Sequence, residues 1–501
     1  MKIAVRVDSS VQMGSGHIMR CLTLAEALHE KGAEIRFICR EHPGNLCDMV
    51  ESRGFRVARL PLSMKEGSDY AAWLGADWET DAAQTAGILK KWGNVDWLII
   101  DHYAIDSRWE SRIRKVVAKI MVIDDLANRN HNCDLLLDQN SCHAGKSKYV
   151  GLVPPGCIRL IGPKYALLRP EFGKAREHSG QRGGKVRRIF VFFGGSDQGN
   201  ETAMALEAIM QLGMVDVAVD VVVGSANPKR KEIEKLCSLM PSAIFHCQVN
   251  NMAELMCNAD LAIGTGGGVM WERACMGLPS IVMSVADNQC QGSEAFAKNG
   301  GILYLGRSVN VDVAVLRSSI EVVLASPYLA HRMKEVGTST VDGNGTERVA
   351  CRIMDRKIVL RPARMEDCES IFRWRNAEVS RRYSNNPEPM SFASHASWYE
   401  DALSDPDRAI IVAEIEGEPV GVIRYDRKED RATVSVYLVP GNQGQGLGTQ
   451  LISEGTRWIA ENWQISAIDA FIKTENLASI AAFEAAGFQK EHCIYSMILK
   501  S

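Results

Sequence analysis

The chain has 501 residues, of which 46% are hydrophobic and 24% charged, and a formal net charge of −3. That length suggests roughly three domains of ~150 residues each, and the composition is that of an ordinary globular protein. The near-neutral charge gives no electrostatic reason to expect a nucleic acid or an anionic membrane as partner.

Fourteen cysteines are scattered without a Cys-x-x-Cys pair. Cys21 and Cys275 sit in apolar helical contexts, and even the regular spacing of Cys237, Cys247 and Cys257 reads as reduced thiols rather than disulfides or zinc ligands. Met1–Ser9 is strand-like and lacks a charged-then-apolar leader, and no apolar run is long enough to span a bilayer. A cytoplasmic protein without membrane insertion is expected.

Lys2–Val7 is an apolar run, followed by the turn Asp8–Gly16 and an amphipathic helix from His17 to about Lys31. Ile18, Cys21, Leu22, Ala25 and Leu28 share one face of that helix, and Gly32 stops it. Strand-like runs recur at Glu34–Cys39, Trp97–Ile100 and Lys119–Ile123. The rhythm restarts at Arg188–Phe193, Val217–Val223, Leu261–Ile263 and Ser280–Val285. Apolar strands alternating with helices predict two doubly wound, Rossmann-like α/β domains, over residues 1–178 and 185–340. The basic, glycine-bearing stretch Lys174–Lys185 reads as the hinge between them. The polar stretch Asp342–Asp355 reads as a second linker, ahead of a strand Lys357–Arg361 and a third α/β domain over 357–501. In that domain the alternating run Thr433–Pro440 leads through a glycine-rich turn into a helix beginning near Leu447.

Ligands in doubly wound sheets bind beyond the C-terminal ends of the strands, and three loops lie there. The first, Asp8 to His17 with Gly14 and Gly16, puts a histidine at the start of a helix. Helix-terminal amides disfavour the protonated imidazole, which leaves His17 able to act as a base, although the same position suits a histidine that only packs the turn. Asp8 either orients this loop or satisfies backbone amides at the strand end. The second loop is Phe193-Gly194-Gly195-Ser196-Asp197, and the third is Gly264 to Gly268, with Gly266 and Gly267, followed by Glu272. Two glycine-rich strand-to-helix loops in one domain suit a diphosphate, and a nearby carboxylate suits a ribose diol.

In the third domain, Gln443-Gly444-Gln445-Gly446-Leu447-Gly448 places glycines where backbone amides can converge on a pyrophosphate. The spacing resembles the pantetheine-pyrophosphate loop of GNAT acetyltransferases, and the stretch from Asn476 through Ser479 and Phe483 to Phe488 resembles that family's second cofactor motif. The resemblance implies acetyl-CoA as co-substrate, contacted by Leu438, Gln443, Gly444, Gln445, Gly446, Gly448, Asn476 and Ser479. For Asn476 a helix cap is an equal alternative. Phe483 stands where many GNAT enzymes carry a tyrosine that protonates the departing thiolate, so Ser479, Tyr437 or a water must take that part. Trp374-Arg375-Asn376, Ser391-Phe392 and His395-x-x-Trp398 resemble the acetyltransferase of pseudaminic acid synthesis, which acylates the 4-amino group of a UDP-amino-sugar.

Residues 1 to about 340 resemble the UDP-2,4-diacetamido-2,4,6-trideoxy-β-L-altropyranose hydrolase family of the same pathway, built like GT-B glycosyltransferases. The matching pieces are Arg6 to Ser9, Gly14 to Arg20, Asp101-His102-Tyr103, Ile123-Asp124-Asp125, Leu137 to Asn140, Phe193 to Asp197, Gly264 to Glu272, and Asp287-Asn288-Gln289. The resemblance implies hydrolysis at the anomeric carbon without a metal, with His17 as general base. It implies Gly14, Gly16, Gly195, Ser196, Gly266, Gly267 and Gly268 around the UDP-sugar, Glu272 on the ribose, and Asn288 and Gln289 on the sugar. Asp124 and Asp125 read as turn residues. Small molecules are the expected partners, with other enzymes of the pathway as candidates. Two alternatives stay open on the residues: a glycosyltransferase that needs an acceptor, and a GNAT module that only binds.

Overall fold

The computed structural model describes residues 1–63, 70–140, 148–177, 185–214, 216–225, 227–354, 358–384, 387–415, 417–444 and 446–490. They fall into two compact units, Met1–Met354 and Asp355–Ser501.

The first sheet of unit 1 contains β1 (Lys2–Val7), β2 (Glu34–Arg40), β3 (Arg56–Leu60), β4 (Val95–Asp101), β5 (Val117–Ile123), β6 (Leu135–Asp138) and β7 (Ile158–Ile161). Its order is β3-β2-β1-β4-β5-β6-β7, with every pair parallel. Ile3, Val5 and Val7 pack on one face, and Ala4, Leu98 and Ile100 on the other. Burial on both faces is why these strands read as unbroken apolar runs. The order reverses between β1 and β4, so the loops that follow these two strands border one crevice.

The second sheet repeats the plan with β8 (Arg188–Phe192), β9 (Ala218–Val223), β10 (Ala243–Cys247), β11 (Leu261–Thr265), β12 (Ser280–Ser284) and β13 (Leu303–Arg307), ordered β10-β9-β8-β11-β12-β13. Here the reversal lies between β8 and β11, whose following loops are the two glycine-rich ones. Gly264 lets the strands close up, since a Cβ there would sit 2.3 Å from the Phe192 carbonyl oxygen.

Packing moves both inner boundaries away from those expected. Residues 174–177 of the expected hinge belong to the helix Pro170–Glu177, which buries Phe172 among core residues of the second sheet. Arg176 there hydrogen-bonds the Thr338 carbonyl at 2.8 Å. The rest of that hinge, 178–184, lies outside the described residues. The expected linker 342–355 is largely the helix Gly345–Ile353. Its Val349, Ala350 and Ile353 are fully buried in the core of the first sheet, and Lys31 pairs with Glu347 beside them.

Each buried valine or isoleucine contributes roughly 1.5–3 kcal/mol. A chain ending at Asn344 should therefore melt well below one ending at Met354. Equal midpoints in thermal unfolding followed by circular dichroism would show that this helix is dispensable.

Unit 2 is a sheet of β14 (Val359–Pro362), β15 (Arg408–Ile415), β16 (Glu418–Lys428), β17 (Arg431–Leu438) and β18 (Ala467–Ala470), in chain order. All neighbours are antiparallel except β17 and β18. The helix Leu447–Asn462 packs on one face through Leu447, Leu451, Ile452 and Ile459. The helices Cys368–Asn376 and Phe392–Ser404 cover the other through Ile371, Tyr399 and Ala402. Among the described residues, no single helix is long and apolar enough to cross a membrane.

Candidate active sites

At the first crevice, His17 begins the helix Gly16–Glu30 and Asp101 ends β4. His17 Nδ1 lies 2.6 Å from Asp101 Oδ1. Arg20, one helical turn on, grips the same carboxylate with Nε and Nη2, both at 2.6 Å. An ionised carboxylate only accepts, so Nδ1 carries the hydrogen donated to Asp101 even with Arg20 Nη2 at 3.1 Å from the same nitrogen, and Nε2 is left as the basic nitrogen. Burial pushes the Asp101 carboxyl up, but Arg20 and His17 outweigh it and hold it well below the usual carboxylate range.

Of the two roles open to Asp8, orienting the His17 loop or satisfying backbone amides at the strand end, its contacts match the second. It pairs with Arg6 at 2.5 Å and accepts from the Arg40 amide at 2.6 Å. His102 Nε2 approaches its second oxygen at 3.3 Å. Arg6 and Arg40 both reach Asp81 at 2.7 Å, and Trp109 Nε1 donates to Asp81 at 2.9 Å. Burial pushes Asp8 up, yet Arg6 and the hydrogen bonds from His102 and His42 hold it far below its ordinary value. Asp8 is thus an anchor under the sheet, and the orienting role falls to Asp101.

The second and third loops complete the crevice. Gly14 has φ +73, and its amide bonds the Ser10 carbonyl at 2.9 Å. A Cβ on Gly195 would lie 3.5 Å from Ser15 Oγ, and Gln198 Nε2 donates to the Val11 carbonyl at 2.9 Å, so the first and second loops face each other. Ser196 lies in that turn, and Asp197 accepts from the amides of Glu201 and Thr202 that begin the next helix. Gly267, with φ +75, heads the helix Gly268–Cys275, which has no side-chain cap. Its first amides are open to an anion. A Cβ on Gly266 would meet Ser293 Oγ at 2.5 Å, so the loop lies tight on the helix Asp287–Lys298.

Asn140, Gly267, Met270, Asn288, Gln289 and Gly292 line a small solvent-open cleft between the two sheets. Gln289 Oε1 is committed to Thr265 Oγ1 at 2.7 Å and to the Val285 amide at 3.0 Å, so it braces the loop as well as lining the cleft. Asn288 Nδ2 donates to Tyr103 Oη at 3.0 Å. Tyr103 donates onward to Asp125 at 2.7 Å and stands edge-on to His17, with ring centroids 4.8 Å apart. Asn140 bonds Asp125 at 2.5 Å and accepts from Trp271 Nε1 at 2.7 Å. Asp125 therefore ties the two halves together and is more than a turn residue. Glu272 lies off the cleft lining, 3.9 Å from Arg169 Nη2. Burial pushes its carboxyl up to about 7, against the pull of Arg169.

In unit 2 the register of β17 with β18 stops at Val434↔Ala470, whereas β17 runs on to Leu438. The strands separate there, leaving backbone groups of 435–438 for an extended, amide-bearing ligand. The loop that follows fits a pyrophosphate. Gly444 and Gly446 have φ +79 and +80, a Cβ on Gly446 would meet nothing within 4 Å, and the helix Leu447–Asn462 has no side-chain cap. Gly448 sits inside its first turn, and Gln445 lies outside the described residues. The Gln443 side chain folds back on its own loop, accepting from the Gly441 amide at 2.9 Å. Asn476 Oδ1 accepts from the Ser479 amide at 3.2 Å, which makes it the cap of the helix Leu477–Ala485. Phe483 is 4% exposed against Phe488, a core aromatic. Among the described residues, no group of three or more His, Cys, Asp or Glu is placed to hold a metal ion.

Comparison with known proteins agrees with this geometry. The chain is 32% identical over 366 residues to the spore coat polysaccharide biosynthesis protein SpsG of Bacillus subtilis, covering 71% of this chain and 98% of that one. The chain belongs to the SpsG family. It is also 28% identical over 301 residues to the UDP-2,4-diacetamido-2,4,6-trideoxy-β-L-altropyranose hydrolase of Campylobacter jejuni, covering 60% and 97% of the two chains. The crystal structure of Acinetobacter baumannii MurG superposes with a TM-score of 0.50 at 14% identity, over 71% of this chain and 99% of that one. That likeness establishes a GT-B-like fold for this SpsG-family region. Residues 357–489 match the family described as acetyltransferase (GNAT) domain. The chain thus joins a sugar-nucleotide enzyme fold to a GNAT acetyltransferase domain.

Sequence reasoning missed Asp101, Arg20, Tyr103, Asp125 and Asn140 as site residues. Two signals were available: all five fall within the stretches that match the hydrolase family, and Asp101 ends an apolar strand on the ligand side of the sheet.

Proposed function

We propose that the protein carries out two steps on one UDP-linked amino-sugar. The GNAT domain transfers the acetyl group of acetyl-CoA to the 4-amino group of UDP-4-amino-4,6-dideoxy-N-acetyl-β-L-altrosamine. The GT-B-like unit then hydrolyses the resulting UDP-2,4-diacetamido-2,4,6-trideoxy-β-L-altropyranose. His17 Nε2 takes a proton from water as its oxygen bonds to C1, and the C1–O bond breaks with its electrons passing to the β-phosphate oxygen of UDP. The amides of the Gly194–Ser196 and Gly266–Gly268 loops stabilise the diphosphate as it leaves.

Gly14 and Gly16 shape the wall that carries His17, Asn288 and Gln289 face the sugar, and Glu272 takes the ribose. Acetyl-CoA lies along Leu438 and the loop at 443–448, ahead of Asn476 and Ser479. The observation that carries the reading is the Asp101-oriented His17, linked through Tyr103 and Asn288 to a cleft that includes Gly267 at the head of a helix without a side-chain cap. The hydrolase relative supports the choice of sugar.

Incubation with the UDP-amino-sugar and acetyl-CoA, with products identified by mass spectrometry and NMR, tests both steps. Free 2,4-diacetamido sugar and UDP, formed without any acceptor, are expected. UDP release that requires an added acceptor would make the unit a glycosyltransferase.

Glu272 gives a separate test. Glu272→Ala should weaken UDP binding by roughly 1.5–3 kcal/mol, the value of a charged hydrogen bond. Because its pKa is raised to about 7, the carboxylate forms only as pH rises through that value. UDP affinity of the parent should therefore increase across pH 6–8 as about one group ionises, while the ligand-free fold, which prefers the neutral acid, loses stability over the range from the ordinary glutamate pKa upward. A calorimetric titration with unchanged affinity would leave Glu272 as a structural partner of Arg169.

A further inference from the structure

The turn that carries Tyr70 and Trp73 is built as a rigid mount beside His17. Gly75 closes it with φ +65, and a Cβ there would lie 2.7 Å from both Arg40 Cδ and Leu62 Cδ1. The Gly75 amide bonds the Ala72 carbonyl at 3.1 Å, and its carbonyl accepts from the Ser63 amide at 2.9 Å. Leu74, 2% exposed, plugs into the core of the first sheet. Tyr70 and Trp73 instead form an aromatic group with Tyr103, at centroid distances of 4.8 Å (Tyr70–Trp73), 5.0 Å (Tyr70–Tyr103) and 6.0 Å (Trp73–Tyr103). Both rings are only partly buried.

Among the described residues, the buried Trp73 Nε1 has no hydrogen-bond acceptor. Tyr103 joins the group to His17 on one side and to Asn288 on the other. Burial pushes the Tyr70 hydroxyl up, with Asp125 and Asp287 adding to it, so Tyr70 lies within the field of carboxylates from both halves of the unit. Rigid, half-exposed aromatic faces beside a general base suit the apolar C–H face of a pyranose, and a trideoxy sugar with acetamido methyls is more apolar than most.

Resting on the hydrolase reading above, we propose that Tyr70 and Trp73 form the wall on which the sugar ring packs, setting specificity for an apolar, acetamido-bearing hexose. UDP touches other loops and takes no part in this contact.

The test compares the parent, Tyr70→Ala, Trp73→Ala and the conservative Tyr70→Phe and Trp73→Phe, all as full chains checked for folding. UDP release is followed with the diacetamido UDP-sugar. In a His17→Ala background, calorimetry measures the affinity ratio of that sugar nucleotide to UDP. Each alanine variant should raise KM and reduce the affinity ratio on the order of tenfold, with UDP affinity and kcat little changed and the phenylalanine variants close to parent. Alanine variants with unchanged KM and ratio, or with UDP affinity falling in step, would overturn the wall. If the parent releases no UDP while the ratio still collapses in the alanine variants, the hydrolysis reading fails and the wall stands.

Discussion

His17→Ala should release UDP from the diacetamido UDP-sugar roughly 10²–10⁴-fold more slowly than the parent, the usual cost of losing a positioned general base. UDP affinity should hold, because the two glycine-rich loops proposed to hold the diphosphate belong to the second sheet and His17 to the first. Asp101→Asn sharpens the assignment without removing the imidazole. Both Asp101 oxygens now accept, one from His17 and Arg20 and the other from Arg20. A carboxamide keeps one acceptor, and because Arg20 donates to both positions, either orientation sets the NH₂ against an Arg20 donor and loosens the grip on the ring. The imidazole then loses the carboxylate that holds its hydrogen on Nδ1 and stabilises the imidazolium formed as Nε2 takes the proton from water. A loss approaching that of His17→Ala, on the order of 10²–10⁴-fold, is expected. A folded Asp101→Asn protein with the parental rate would remove Asp101 from the mechanism, and a fully active His17→Ala protein would remove the mechanism itself.

What could be read from the sequence was whatever short-range pattern controls. Strands buried on both faces read as apolar runs, so β1, β2, β8 and β9 were placed within a residue or two of their observed ends. The glycine loops were legible because a left-handed turn or a close approach leaves a mark at a single position, as at Gly267 and Gly446. Partnerships across the sheet were not. His17 and Asp101 are 84 residues apart and meet only because β1 and β4 are neighbours at the reversal of strand order. Asp8 could be read either as orienting the His17 loop or as satisfying backbone amides at the strand end, and only the packing shows its side chain on Arg6 and the Arg40 amide. The helix Gly345–Ile353 read as a linker because its apolar residues are few. Val349, Ala350 and Ile353 form a narrow stripe whose meaning depends on the helix Gly16–Glu30, more than 300 residues away, as the Lys31–Glu347 pair shows. The same dependence explains Asp125. Nothing local distinguishes a turn aspartate from one that bridges Tyr103 and Asn140.

Gly446→Val should abolish acetyl transfer and leave hydrolysis of the preacetylated UDP-sugar at the parental rate. Two effects act together at this position. The backbone is left-handed, at φ +80, a conformation that a β-branched residue adopts only with strain. The added side chain would also project into space that holds no atom of the described residues within 4 Å of the Cβ, where the proposed pyrophosphate approaches the amides of the helix Leu447–Asn462. Because each unit has its own sheet and its own core, the damage should stay in unit 2. The boundary must respect packing: a fragment of residues 1–354 keeps the helix Gly345–Ile353 and should hydrolyse the diacetamido UDP-sugar without acetyl-CoA. A fragment from residue 355 onward should acetylate the UDP-amino-sugar by itself. If Gly446→Val stopped hydrolysis in a protein that remained folded, or if residues 1–354 folded but needed acetyl-CoA to release UDP, the two sites would be coupled rather than autonomous.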